Sequence, residues 1–116
     1  MTTVVKRGEI YWVDWSPSRG SEQSGMRPAL VIQNDIGNQY SPNTIVASIT
    51  TAQNRPYPFI VNVTSSESGL KQDGSIDLAS ILTVSKTRLS SKCGQLNKAK
   101  MLEVDNAIKE SLGLVT

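Results

Sequence analysis

From Glu9 to Gln95 the apolar positions fall in short runs bounded by polar, turn-forming stretches. Glu9-Ile-Tyr-Trp-Val-Asp-Trp15 has the β-branched and aromatic content of a strand. Arg27–Gln33 predicts a second strand, in which Pro28 suits only the first position or an edge. Thr44–Thr51 predicts a third, and Phe59–Val63 a fourth, entered through Arg55-Pro-Tyr-Pro58. Ser75–Leu78 and Ile81–Ser85 read as one kinked strand, and Lys92–Gln95 as a weak last one. Ser16–Met26, Asn34–Asn43 and Thr64–Gly74 are polar and predict loops.

At Lys98 the period changes. Met101, Val104, Ile108 and Leu112 recur at i, i+3, i+7 and i+11, which is one face of a helix. Asn97 suits its N-cap and Gly113 its C-terminal stop. Short strands followed by one helix predict a mainly β protein with a C-terminal helix: a small β-barrel or curled sheet with the helix packed on it. No repeat or linker divides residues 1–116, so one domain is expected. The core of so small a barrel is modest, and oligomerisation would add to its stability.

Composition narrows the chemistry more than it suggests any. The chain has 116 residues, 38% hydrophobic and 19% charged, which fits a globular domain and not a disordered one. Its longest apolar run is Pro28–Ile32, and its first residues lack the apolar stretch of a signal peptide. A cytoplasmic protein with no membrane association is expected. There is no histidine and one cysteine, Cys93. Cys/His zinc sites, Ser-His-Asp triads, Cys-His dyads and intrachain disulfides are therefore excluded. Arginine, lysine, carboxylates, hydroxyls and backbone amides remain, and no metal or other cofactor is expected. The net charge of +2 is spread evenly between the halves, so an anionic partner would need a local cluster.

Several short signals carry little. Ser68-x-x-Lys71 matches a Ser/Lys hydrolase pattern, but 15 serines and 7 lysines make one chance match the expectation. Asp73 and Asp77 lack a third acid nearby and read as loop and strand-edge charges. Cys93 reads as a small buried hydrophobe. Trp15 is a candidate stacking surface whose place in an alternating strand favours the core.

The loop Ser16–Met26 says more. It holds Arg19, Glu22 and Gln23 and runs straight into Arg27 at the mouth of a strand. If the second and third strands pair antiparallel about a turn centred on Asn38–Gln39, Thr50 faces Arg27, and a slip of one or two residues brings Thr51 or Ser48 there instead. A guanidinium and a hydroxyl then meet beside a Gly/Ser loop, the makings of a phosphate site. The competing reading is an arginine that caps strand ends or pairs with Glu22.

Lys6-Arg-Gly-Glu-Ile-Tyr-Trp-Val-Asp-Trp-Ser-Pro17 and Gly20-Ser-Glu-Gln-Ser-Gly-Met-Arg-Pro-Ala-Leu-Val-Ile-Gln-Asn-Asp35 resemble the MazF/PemK/Kid family of toxin endoribonucleases. The likeness continues through Asn43–Thr50, Tyr57-Pro-Phe59 and Asp73-Gly74 to the final helix. It implies an SH3-like β-barrel with a C-terminal helix, assembled as a homodimer. It also implies metal-independent cleavage of single-stranded RNA at short motifs. The implied inhibitor is a cognate antitoxin whose disordered acidic segment lies along the RNA groove. By this resemblance Arg27 and Thr50 are the catalytic pair. Gly20, Ser21, Glu22 and Gln23 line the RNA site, with Tyr57 and Pro58 flanking it. Ser80 stands where relatives carry a base-reading glutamine, in Ala79-Ser-Ile-Leu82 against their Glu-Gln-Ile-Arg-like run.

The chemistry so implied uses the substrate's 2′-hydroxyl as nucleophile and leaves a 2′,3′-cyclic phosphate and a 5′-hydroxyl. Arg27 and Thr50 would stabilise the phosphorane charge. Arginine titrates above about 12, which makes it a poor base at neutral pH. Glu22, the acid of the loop, is the candidate base, and equally a group that orients Arg27 or reads a base. The rival is a non-enzymatic toxin of the same fold that poisons a protein such as gyrase. Such relatives act through a C-terminal Trp-Gly-Ile, where this chain reads Leu112-Gly-Leu-Val-Thr116.

Overall fold

The computed structural model describes residues 4–15, 25–51 and 56–114. Among them, six strands form one antiparallel sheet: β1 (Glu9–Asp14), β2 (Met26–Val31), β3 (Asn43–Thr50), β4 (Ile60–Val63), β5 (Gly74–Ser85) and β6 (Leu89–Gln95). Their order is β4-β5-β3-β2-β1-β6. Three helices accompany them: α1 (Asp35–Tyr40), α2 (Ser65–Ser68) and α3 (Lys98–Leu112).

Alternation along the central strands serves two cores, one on each face. Ile10, Leu30, Ile49, Ile76 and Leu78 pack together beneath Val104 and Ala107 of α3. Tyr11, Val13, Val31 and Val46 point the other way and are covered by Val84 and Leu89. One sheet reaches both faces because β5 bends. Its register against β3 jumps between Ala47↔Ile81 and Ser48↔Asp77, which leaves Leu78, Ala79 and Ser80 as a bulge. The Asp77 carboxylate accepts the Ala79 N–H at 2.9 Å inside it. Ser75–Leu78 and Ile81–Ser85 are thus one kinked strand, as the pattern predicts.

The sheet curls without closing. β4 and β6 lie at opposite ends of the strand order, and α2 packs against β6 in place of a strand pairing. The chains touch there at glycines. A Cβ on Gly94 would stand 2.0 Å from the Ser68 carbonyl oxygen, and one on Gly69 2.0 Å from that of Cys93. Gly69 also takes the left-handed conformation (φ 82°) that ends α2. The mainly β architecture with a terminal helix stands, as a curled open sheet and not a closed barrel.

Two predicted loops contain one-turn helices. Both are made by caps, which leave no apolar period to read. The Asn34 side chain accepts the Gly37 N–H at 2.8 Å and starts α1. Thr64 and Glu67 form a capping box on α2, with the Glu67 carboxylate accepting the Thr64 N–H at 2.8 Å. That bond holds the Glu67 carboxyl below the usual glutamate range. The terminal helix has the expected bounds: Asn97 accepts the Lys100 N–H at 2.8 Å, and Gly113 closes it in the left-handed region. Leu112 departs from the prediction, being 57% exposed, since burial on that face stops short of the last turn.

A buried carboxylate ties β1 to β6. Glu9 accepts from the Lys6 N–H at 2.8 Å and the Tyr11 hydroxyl at 3.0 Å, and pairs with Lys92 at 3.0 Å. Burial, helped by this carboxylate, pushes the Tyr11 phenol up to about 12.

Candidate active site

β2 and β3 pair in the register predicted from the turn. Ala29 faces Ser48, Leu30 faces Ala47 and Val31 faces Val46. That ladder stops at Ala29, short of Arg27 and Thr50. On the other side of β2, Arg27 faces Val13 of β1. Arg27 and Thr50 are both exposed. Pro28 is neither first in β2 nor on an edge, contrary to expectation. It is the third residue, facing Trp12, and the β2–β3 ladder begins only after it, at Ala29.

The ends of these strands divide two cavities. Arg27, Pro28, Ile49 and Thr50 line both. The larger, about 470 Å³, adds Trp12, Thr51, Leu70, Lys71 and Gln72. The smaller, about 300 Å³, adds Trp15, Ser48 and Leu82. Trp12 packs against the core under α3 and Trp15 against the opposite core, so each cavity has a tryptophan of a different core in its wall. Trp15 is half-buried against that core and also lines the smaller cavity.

Arg27 and Thr50 are the predicted pair that the fold brings together. Gly20, Ser21, Glu22 and Gln23 lie outside the described residues. Tyr57 is 51% exposed, with its ring stacked on Phe59 at 5.4 Å, and lines neither cavity. Pro58 borders a separate hollow against α3, beside Glu103 and Glu110. Ser80 sits in the β5 bulge and also lines neither cavity, although Leu82, two residues on, walls the smaller one.

Sequence reasoning missed Trp12, Lys71, Gln72 and Leu82 as cavity residues. Lys71 was visible only within Ser68-x-x-Lys71, and there the structure separates the two groups. Ser68 is buried, its hydroxyl accepting the Leu70 N–H at 3.1 Å, while Lys71 is exposed. Asp73 accepts the Ser65 N–H at 2.8 Å, a structural role at the start of α2. Cys93 is half-buried, its thiol donating to the Ile10 carbonyl at 3.4 Å, and burial raises its pKa. No helix among the described residues is long and apolar enough to cross a membrane.

A curled antiparallel sheet backed by a terminal helix thus carries a cation, Arg27, and a hydroxyl, Thr50, on lining shared by two cavities. The model of the PemK-like, MazF-like toxins of type II toxin–antitoxin systems matches residues 6–112, and the chain belongs to that family. Endoribonuclease MazF of Staphylococcus epidermidis is 46% identical over 112 residues, covering 96% of this chain and 93% of that protein. Endoribonuclease EndoA of Bacillus subtilis (strain 168) is 46% identical over 113 residues, covering 97% of each. In fold, the chain is similar to a mycobacterial endoribonuclease solved in complex with its cognate antitoxin. There the TM-score is 0.81 and the identity 24%, over 97% of this chain and 98% of that one. The MazE–MazF structure (Form-II) from Deinococcus radiodurans gives a TM-score of 0.80 at 22% identity, over 98% of this chain and 100% of that one.

Proposed function

We propose that this toxin-family chain is a sequence-specific endoribonuclease that cuts single-stranded RNA by attack of a 2′-hydroxyl on the adjacent phosphorus. What supports this reading is that Arg27 and Thr50 both line the two cavities at the strand ends. A phosphodiester laid on that shared lining has one flanking nucleotide toward each cavity. The nucleophile is tethered to the substrate, so RNA itself supplies the proximity. The Arg27 guanidinium bridges two phosphate oxygens, and the Thr50 hydroxyl donates to another as negative charge builds. Glu22 takes the proton from the 2′-hydroxyl as its oxygen bonds to phosphorus, the bond from phosphorus to the 5′-oxygen breaks, and a water molecule gives that oxygen the proton that makes it a hydroxyl. The products are a 2′,3′-cyclic phosphate and a 5′-hydroxyl. No divalent ion and no other cofactor has a part in this scheme.

The same reading makes residues 1–116 one toxin domain that works in the cytoplasm as a homodimer. Gly20, Ser21, Gln23, Tyr57, Pro58 and Ser80 contribute to the RNA surface of that assembly. A cognate antitoxin with a disordered acidic segment competes with RNA for the cations at the site. Light scattering at micromolar concentration tests the dimer, and competition between antitoxin and RNA tests the inhibitor.

The decisive experiment replaces the 2′-hydroxyl beside a mapped cut with hydrogen. Cleavage is abolished while binding is nearly kept, because phosphate and base contacts remain. EDTA leaves cleavage of the unmodified strand unchanged. Cutting of the deoxy strand at a comparable rate, or loss of activity in EDTA, overturns the mechanism. A chain that cuts no RNA under any condition is instead a toxin that acts by binding a protein target.

A further inference from the structure

We propose that Lys71 is a second phosphate anchor, holding the phosphodiester next to the one gripped by Arg27 and Thr50. This rests on the reading of the site as an RNA site and adds to it a residue on a different segment of the fold. Lys71 and Arg27 line the same cavity, together with Thr50, Thr51 and Trp12. About 470 Å³ is within the range of a small-ligand pocket and holds one nucleotide beside the reacting phosphate.

The backbone that presents Lys71 is fixed. Leu70, immediately before it, is 6% exposed in the core under α3. The turn that precedes it is pinned where Gly69 meets Cys93 and Ser68 meets Gly94. The Lys71 ammonium is exposed and has no ion-pair partner among the described residues. It therefore meets an incoming phosphate without first breaking a salt bridge. The two cations also suit two tasks. The planar fork of Arg27 fixes the orientation of the phosphate that reacts. The ammonium of Lys71 is a point charge on a flexible stem, enough for a phosphate that must be held and not aligned.

Salt dependence reads such a contact directly, since each neutralised phosphate of a single strand contributes about 0.7 to the slope of log K against log salt. The probe is a short single-stranded RNA covering a mapped cut, with the one 2′-deoxy substitution that blocks cleavage. Polyuridylate serves if no cut is found. Lys71→Ala is expected to weaken binding about tenfold at low salt and to make the slope shallower by about 0.7. With cleavable RNA the loss appears mainly in KM. Lys71→Arg restores affinity and slope, and thermal unfolding of both variants matches the parent. Wild-type affinity and slope in Lys71→Ala overturn the proposal, as does weakened binding with an unchanged slope. If the parent chain binds RNA without cutting it, the nuclease reading falls while the slope still decides Lys71. If it does not bind RNA, both fall.

Discussion

The two cavities that meet at Arg27 and Thr50 are built by different means. The smaller is walled by strands: Trp15 just after β1, Ser48 on β3 and Leu82 on β5, all placed by alternation and by the β5 bulge. The far wall of the larger is a connection, Leu70-Lys71-Gln72, held by a capped one-turn helix and a crossing of glycines. Their chemistry differs in the same way. The strand wall is aromatic and aliphatic apart from Ser48, whereas the connection wall brings an ammonium and an amide. A strand that must bury one face has little freedom in what it shows a ligand. A connection whose backbone is fixed by caps can carry charge without disturbing a core. One phosphate site thus sits between an apolar neighbour and a cationic one.

The largest effects belong to the shared wall. Arg27→Ala and Thr50→Ala should each cut the cleavage rate by at least about 10² while leaving thermal unfolding unchanged, because both side chains are exposed at strand ends. Arg27→Lys should fail as well, since a point charge does not bridge two oxygens. Near-normal turnover in a folded Arg27→Ala protein would remove the assignment and, with it, the point at which the cavities are compared.

The next effect separates the two walls. Gly94→Ala puts a methyl into the Ser68 carbonyl, where only backbone can give way. A loss of at least about 2 kcal/mol in urea unfolding is expected. Salt sensitivity of RNA binding should weaken in what remains folded, as the Lys71 wall loosens. A fully stable Gly94→Ala protein would mean that the seam does not hold that wall.

A smaller effect comes from the cap on α2. Thr64→Ala should cost about 1 kcal/mol. Glu67→Gln, which removes the titrating group and leaves the Thr64 backbone in place, should flatten part of the acid limb of the stability curve. The folded-state pKa of Glu67 is depressed, chiefly by the Thr64 N–H. Its contribution is therefore present above the ordinary glutamate range and lost as pH falls through the lowered value. Chemical denaturation across that range in parent and Glu67→Gln measures it.

The smallest effect in rate lies on the strand side. Ser80→Gln should change which bases are preferred at cut sites mapped on a long natural RNA, with little change in overall turnover. Ser80 lines neither cavity of the single chain, so an unchanged motif would leave base choice on this side to Trp15 and Leu82.

Much of this molecule follows from local rules. The period and caps of Lys98–Leu112 specify α3, and strand content locates all six strands to within a few residues. The β2–β3 register could be read because a hairpin register follows from the position of its turn, and Asn38–Gln39 marks that position. The absence of histidine already restricted the chemistry to groups of the kind found there. Other features needed the folded chain. α1 is started by one side-chain cap and α2 by a two-residue capping box, and a cap is legible only once it is known which N–H it meets. The curl of the sheet depends on a three-residue slip in β5 and on Gly69 and Gly94 meeting across positions far apart in sequence. Lys71 joined the site by that same closure: nothing local relates it to Arg27, and only the packing of α2 on β6, with Leu70 in the core, brings it to the cavity that Arg27 lines.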